Sequence, residues 1–279
     1  MSRVAQTLAE GTELLRDSSA SPRADALLLL AHVLNRGRDW LIAHDDATPS
    51  LEEAEAFQRL SEQRSWGVPI AYLLGSAGFY GREFLVNENV LVPRPETEHL
   101  VDEALRFIGD TPLRVLDVGT GSGAIACTIA AETKATVLGT DISPAAVAIA
   151  NENARRFNVA DRCRFYVGDL TEPVKAQRFD VVVANLPYVP TSQISDKPDA
   201  VAYEPREALD GGPDGLALYR RLLDALAPLV NPNALILLEA APPTMPGLAA
   251  IAKSALPHCA FAVGRDYAGL DRYLKISCD

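Results

Sequence analysis

Cysteine is scarce in this sequence, and the four present, Cys127, Cys163, Cys259 and Cys278, are scattered. No Cys-x-x-Cys pair and no histidine at ligand spacing accompanies them, so no metal site is expected and reduced, buried thiols are. Positive charge is also short: 26 Lys and Arg stand against 37 Asp and Glu, a net charge of -11. That field opposes a nucleic-acid backbone, which would need a local basic patch, and it favours a protein or small-molecule substrate. Long apolar runs are missing as well. The longest, around Ala26 to Ala31, falls far short of the roughly 20 residues of a membrane span. The stretch from Met1 to Leu15 is broken by Arg3, Glu10 and Glu13, so it lacks the apolar core of a signal peptide. The expectation is a soluble, cytoplasmic protein with no membrane partner. What is present, 48% hydrophobic and 23% charged residues over 279 positions, suffices for one large globular domain or two unequal ones.

Two rhythms divide the chain. From Ser2 to about Leu74 apolar residues recur at helical spacing, as in Val4, Leu8, Leu14 and Leu15, then Leu27 to Leu30, then Phe57 and Leu60. Ser21-Pro22 offers a helix start, with a capping hydroxyl and a proline in the first turn. Residues 1–74 are therefore read as a small helical domain. Residues 75–95 carry aromatic and β-branched residues around glycines, then Pro93 and Pro95, which suggests a short hairpin and a stiff connector. Over residues 96–279 strand-like runs alternate with helices, the strands at 113–118, 136–139, 163–167, 180–184 and 234–239, the clearest helices at 143–157 and 215–229. This rhythm implies an α/β fold with a doubly wound, mostly parallel sheet, whose ligands sit at the carboxyl ends of the strands. The segment from Asn185 to Pro213 has no clear period, follows a strand directly, and so lies at the ligand-binding edge.

Val115-Leu116-Asp117-Val118-Gly119-Thr120-Gly121-Ser122-Gly123 is a buried strand that runs into glycines and then a helix. Glycines there let the backbone turn tightly and let a ligand approach the helix start. A dinucleotide site would show Gly-x-Gly-x-x-Gly. The spacing found, with an acid two residues before the first glycine, resembles the first motif of class I, S-adenosylmethionine-dependent methyltransferases. In that family the acid, Asp117 here, orients the amino-acid part of the ligand, and the glycines face its adenosyl part. Asp141, at the end of the second strand, can accept both hydroxyls of a ribose. Asp169, after the third strand, is placed to meet an adenine edge with Leu170 beside the ring. A nicotinamide enzyme could use a ribose-binding acid too, and each acid alone could be a helix cap.

Asn185-Leu186-Pro187-Tyr188 follows the strand that ends at Ala184. It resembles the Asn-Pro-Pro-Tyr motif of enzymes that methylate planar nitrogens, both amides and exocyclic base amines. Such a nitrogen is a poor nucleophile because its lone pair is delocalised, so the protein must align it with the methyl group. The side-chain oxygen of Asn185 and the carbonyl of Leu186 can each accept one N–H, orienting the lone pair and stabilising the charge that develops on nitrogen. Pro187 stiffens the turn and the Tyr188 ring can pack against the planar target. Leucine at 186 departs from the commoner proline, but a backbone carbonyl survives that change. Asn-Leu-Pro-Tyr also occurs in enzymes that dimethylate adenine in ribosomal RNA, so on the loop alone a base amine is as good a target as an amide.

The wider sequence narrows the choice. Ser21 to Ala26, Pro69 to Gly75, Leu91 to Glu98, Tyr203 to Leu209, Gly211 to Gly215 and Arg265 to Arg272 are similar to stretches of the HemK/PrmC family, the N5-glutamine methyltransferases of class 1 peptide chain release factors. The resemblance implies a class I methyltransferase domain behind a helical, substrate-gripping one, with S-adenosylmethionine converted to S-adenosylhomocysteine. It implies methylation of the glutamine in the Gly-Gly-Gln tip of the release factor. A monomer is the default expectation, and the acidic balance with the helical amino-terminal domain argues against a direct nucleic-acid partner. Three alternatives stay open: a stability or dimerisation role for residues 1–74, a nucleic-acid amine methyltransferase, and a binding module that has lost the chemistry. Arg94, Glu96 and Glu98 could serve only to cap the next helix, and His32, His44, His99 and His258 fall in no site motif.

Overall fold

A computed structural model describes residues 3–194 and 200–278. The amino-terminal unit reaches to Ser76 and takes in a short segment ending at Tyr203; the second runs from Ala77 to Ile194 and from Glu204 onward.

The first unit contains α1 (Val4–Leu14), α2 (Pro22–Val33), α3 (Arg38–Ala43), α4 (Leu51–Ser65) and α5 (Ile70–Leu74) around a core that includes Val4, Leu29, Leu30, Leu41 and Phe57. Ser50 and Glu53 form a reciprocal capping box that starts α4. The expected cap at Ser21 is not made: its hydroxyl bonds no helix amide. Ser19 instead donates to Asp25 (2.8 Å), which also takes the Arg64 guanidinium of α4 at 2.7 Å in a mostly buried pair. That pair ties α2 to α4 across 39 residues. Tyr203 returns from the far loop and donates to the carbonyl of Trp66 at 3.0 Å.

A hairpin of β1 (Ser76–Phe79) and β2 (Arg82–Leu85) follows, all but its first residue in the second unit. Its turn, Tyr80-Gly81, has φ of 48° and 71°, the double left-handed geometry of a type I′ turn. Tyrosine tolerates that conformation because its N–H donates to Glu98 (2.7 Å) and its hydroxyl to Asp102 (2.8 Å), both on α6 (Glu98–Ile108).

The elements that follow are β3 (Arg114–Val118), α7 (Ala124–Glu132), β4 (Thr136–Asp141), α8 (Pro144–Arg156), β5 (Cys163–Val167), β6 (Phe179–Ala184), α9 (Ala217–Leu226), β7 (Val230–Glu239), α10 (Met245–Ala255), β8 (Cys259–Arg265) and β9 (Asp271–Cys278). The strands form one sheet in the order β5-β4-β3-β6-β7-β9-β8, parallel through β7 and antiparallel beyond it. The doubly wound, mostly parallel α/β fold expected from the sequence is present. Alternation along β6 explains its two layers: Val181 and Val183 face one core with α6, α7 and α8, while Val182 and Ala184 face the other with α9 and α10. Strand order reverses between β3 and β6, so the crevice at their carboxyl ends is where such a sheet places a ligand.

The edge pair β8–β9 went unread in the sequence, because β8 is largely exposed and lacks a buried apolar run. It also corrects the expectation of four reduced thiols. Cys259 and Cys278 lie directly opposite each other in the hairpin register and form a disulfide with Cα atoms 4.3 Å apart, while Cys127 and Cys163 are free and buried. A sequence separation of 19 residues conceals a pairing that strand register creates.

Candidate active site

A cavity of about 360 Å³ opens at the switch point and is lined from both loops that flank it. Its size falls within the range of small-ligand sites.

On the β3 side, Gly119, Thr120, Gly121 and Ser122 lie on its wall. The turn is pinned to β4, since the amides of Gly119 and Thr120 both donate to the Thr140 carbonyl at 2.8 and 2.9 Å. Gly119 has φ +74°, and a Cβ there would come within 2.8 Å of Leu186 Cδ2. The departure at Leu186 is thereby accommodated: its side chain, 3% exposed, packs over the bare Gly119 backbone. Gly123 plays another part. It starts α7 and abuts Ala150 of α8, away from the cavity wall.

Asp117 is fully buried and is not on that wall either. Its Oδ2 accepts the Thr120 hydroxyl at 2.6 Å, and its Oδ1 has no hydrogen-bond partner among the described residues. Burial pushes this carboxyl up to about 7, against the Thr120 hydroxyl and the Ala126 amide, which pull it down. The residue thus holds the glycine turn from below. Asp141 does line the cavity; Oδ2 accepts the Gly121 amide (2.8 Å) and Oδ1 the Ser143 amide (2.9 Å), leaving further lone pairs on each oxygen. Burial raises its pKa against those two amides. Asp169 and Leu170 also reach the cavity, where Asp169 pairs with Arg221 of α9. Arg221 falls in no sequence motif and is brought to the site by the packing of α9.

On the β6 side, Asn185, Leu186 and Pro187 line the cavity and Tyr188 does not. Tyr188 packs partly buried against the core behind the loop, and burial raises its hydroxyl to about 12. The loop is anchored by three groups that sequence reading missed. Thr97, closing the 3-10 turn Pro95–Thr97, accepts the Asn185 Nδ2 hydrogen bond at 3.1 Å. Tyr219 of α9 accepts the Leu186 N–H at 3.1 Å and donates its proton to the carbonyl of Glu239, at the end of β7. Burial pushes the Glu239 carboxyl up to about 7, against the Thr97 hydroxyl, which pulls it down.

The segment after the loop is stitched to it. Val189 donates to Leu209 and Gly211 to Val189 (3.0 and 2.9 Å), and a Cβ on Gly211 would come within 2.7 Å of the Pro187 carbonyl. Glu204, almost fully buried, accepts the Val92 amide and pairs with Arg94, which joins this segment to the connector. Burial raises the Glu204 carboxyl while Arg94 opposes the rise. The acids at the start of α6 have partners beyond any capping role: Glu98 holds Tyr80, and Glu96 lies 3.7 Å from Arg272 of β9. Residues 195–199 of the aperiodic segment lie outside the described residues.

Among solved structures, a methyltransferase from Pyrococcus furiosus superposes with a TM-score of 0.53 at 20% identity, over 72% of this chain and 90% of that one. A 16S rRNA N2 G1207 methyltransferase from T. Thermophilus gives the same score at 17% identity, over 73% and 50%. Both likenesses concern the fold. The family described as PrmC N-terminal domain matches residues 6–75, and that described as Methyltransferase domain matches residues 110–228. The release factor glutamine methyltransferase of Bacillus anthracis is 36% identical over 97% of both chains, that of Bacillus subtilis 37% over 86% and 85%, and that of Rhodopirellula baltica 41% over 81% and 79%. With the sheet, the glycine turn and the Asn185 loop assembled in one crevice, these relatives lead to a plain conclusion: the chain belongs to the release factor glutamine methyltransferase family.

Proposed function

We propose that this chain transfers a methyl group from S-adenosylmethionine to the side-chain amide nitrogen of the glutamine in the Gly-Gly-Gln motif of class 1 peptide chain release factors. It does so as a monomer in the cytoplasm, without a nucleic-acid or membrane partner. The observation that carries this reading is the anchored Asn185 loop on the wall of the cavity that the glycine turn also lines.

The cavity suits the cofactor. The bare turn from Gly119 to Gly121 leaves room beside the backbone, Asp141 keeps acceptor capacity for a pair of vicinal hydroxyls, and Asp169 with Leu170 supplies a polar edge next to an apolar face. S-adenosylmethionine, when bound, supplies a methyl group already activated on a sulfonium and leaves as S-adenosylhomocysteine. The protein is left with positioning. With Nδ2 of Asn185 committed to Thr97, the side-chain oxygen is the atom free to accept one N–H of the target amide. The Leu186 carbonyl accepts the other, while its own N–H is held by Tyr219. Two acceptors on one nitrogen turn its lone pair out of conjugation and offset the charge it gains as the new N–C bond forms. The nitrogen then releases one proton to solvent, which restores the neutral amide. Asp117 and Gly123 support the turn from behind, and Tyr188 backs the loop.

The test is incubation of the protein with labelled S-adenosylmethionine and either a class 1 release factor or ribosomal RNA. Label in the glutamine of the release factor is expected; label only in the RNA would overturn the proposal.

A further inference from the structure

Resting on that reading, we propose that the turn between β8 and β9, residues 266–270, is a docking point for the body of the release factor, with Tyr267 as the side chain that grips it. The turn belongs to the stretch from Arg265 to Arg272, which the transfer chemistry leaves without a task.

Its backbone is fixed before any partner arrives. Asp266 Oδ1 accepts the amides of Ala268 and Leu270 at 2.8 and 2.9 Å, and Oδ2 accepts Arg272 Nε at 2.7 Å. The Asp266 amide donates to the Leu270 carbonyl and the Gly269 amide to the Asp266 carbonyl, both at 2.9 Å, with Gly269 at φ +78°. None of these bonds uses the Tyr267 side chain, and the residue is 95% exposed. Its ring meets that of His99 on α6 edge to face, with centroids 4.7 Å apart, and Leu270 beside it is half exposed. A closed turn needs no aromatic at its tip, and one left in water adds nothing to folding. A tyrosine on a pinned backbone loses little freedom on binding and buries a large area, which is why such residues carry much of the energy of protein interfaces.

Position selects the occupant. β9 runs antiparallel to β7, with Tyr273 opposite Glu239 and the Ala240 amide bonded to the Arg272 carbonyl. The turn that precedes β9 therefore projects from the edge at which the parallel strands end, the edge that carries the cavity. Arg272 lies 3.7 Å from Glu96, and His99 stands two residues after Thr97, which holds Asn185. A protein whose glutamine enters the cavity rests on this rim. Charge points the same way: Arg265 pairs with Asp271, and Arg272 with Asp266 and Glu96, so the turn offers an aromatic and an aliphatic side chain among charges already paired. The Gly-Gly-Gln tip carries no charged side chain, and its glycines give a site no side chain to hold. Affinity for the release factor has to come from the surface that flanks the tip.

The test compares Tyr267→Ala and Tyr267→Phe with the unaltered protein on an intact class 1 release factor and on a short peptide carrying the Gly-Gly-Gln tip, by steady-state kinetics with labelled S-adenosylmethionine. Calorimetry reads the affinity of each protein, filled with S-adenosylhomocysteine, for the release factor. For Tyr267→Ala, KM and Kd for the release factor should rise about 5- to 30-fold, while kcat, and kcat/KM on the peptide, stay within about twofold. Tyr267→Phe keeps the ring and should stay within about threefold throughout. Tyr267 is exposed, so its removal leaves the fold in place, which a thermal melt checks. Should the short peptide not be methylated by the unaltered protein, the calorimetric Kd decides alone. Unchanged KM and Kd for the release factor in Tyr267→Ala would overturn the docking point, and so would an equal loss on peptide and release factor, which would mean that the turn acts through the catalytic loop. A release factor left unlabelled by the unaltered protein would instead overturn the proposed function.

Discussion

The two loops that meet at the switch point are supported in opposite ways. The glycine turn after β3 is held by neighbours in sequence: Asp117 bonds Thr120 three residues on, and Gly119 and Thr120 bond the adjacent strand. The Asn185 loop after β6 is held by Thr97, 88 residues earlier, and by Tyr219, 33 residues later. A turn held locally is a motif and can be read as one. A loop held remotely is a convergence of elements, and its four residues carry only half of the arrangement. The division also separates roles: perturbing the first loop should register in cofactor affinity and stability, perturbing the second in the rate of transfer.

That division can be broken or sharpened by substitution. Asn185→Ala should have the largest effect, lowering kcat by roughly 10²–10³-fold with cofactor affinity nearly unchanged, as steady-state kinetics and calorimetry would show. Next comes Asp117→Asn. Because the folded-state pKa is raised to about 7, the native chain binds that proton more tightly than the unfolded one, and stability from this group falls as pH climbs from about 4 to about 7. Asparagine carries no charge, so its stability advantage should widen across that window, up to about 4 kcal/mol, and stay level above it. Denaturation at several pH values reads this, and an advantage independent of pH would contradict it.

Tyr219→Phe should cost about 1–3 kcal/mol, since it strips a buried acceptor from the Leu186 amide, and it should also lower kcat. Gly119→Ala should cost about 1–2 kcal/mol through its positive φ and weaken cofactor binding. Shortening its neighbour with Leu186→Ala should recover part of that loss, because the new Cβ would otherwise press on Leu186. A Gly119→Ala protein impaired in kcat alone would erase the contrast between the loops.

Much of the fold was legible because its signals are local. The five parallel strands announce themselves as apolar runs, and the Gly119-x-Gly121-x-Gly123 turn marks the end of the first. The antiparallel pair β8–β9 was hidden, since half of β8 faces solvent, and its disulfide is a product of register. In the site, Asn185 to Pro187 were identifiable from their types and their place after a strand. Tyr188, whose type suggests a platform for the substrate, packs partly buried against the core and is not on the cavity wall. Thr97, Tyr219 and Glu239 gave no such signal, because a threonine before a helix, a tyrosine within one and a glutamate ending a strand are ordinary residues until the tertiary fold joins them.

The most direct test of the Asn185 loop is the mass of a release-factor peptide that carries the Gly-Gly-Gln tip, measured before and after reaction with the unaltered protein and with Asn185→Ala. A gain of one methyl group, located on the glutamine, is expected with the unaltered protein and none with the variant, although both bind cofactor. An unchanged peptide mass with the unaltered protein, or equal methylation by the variant, would contradict it.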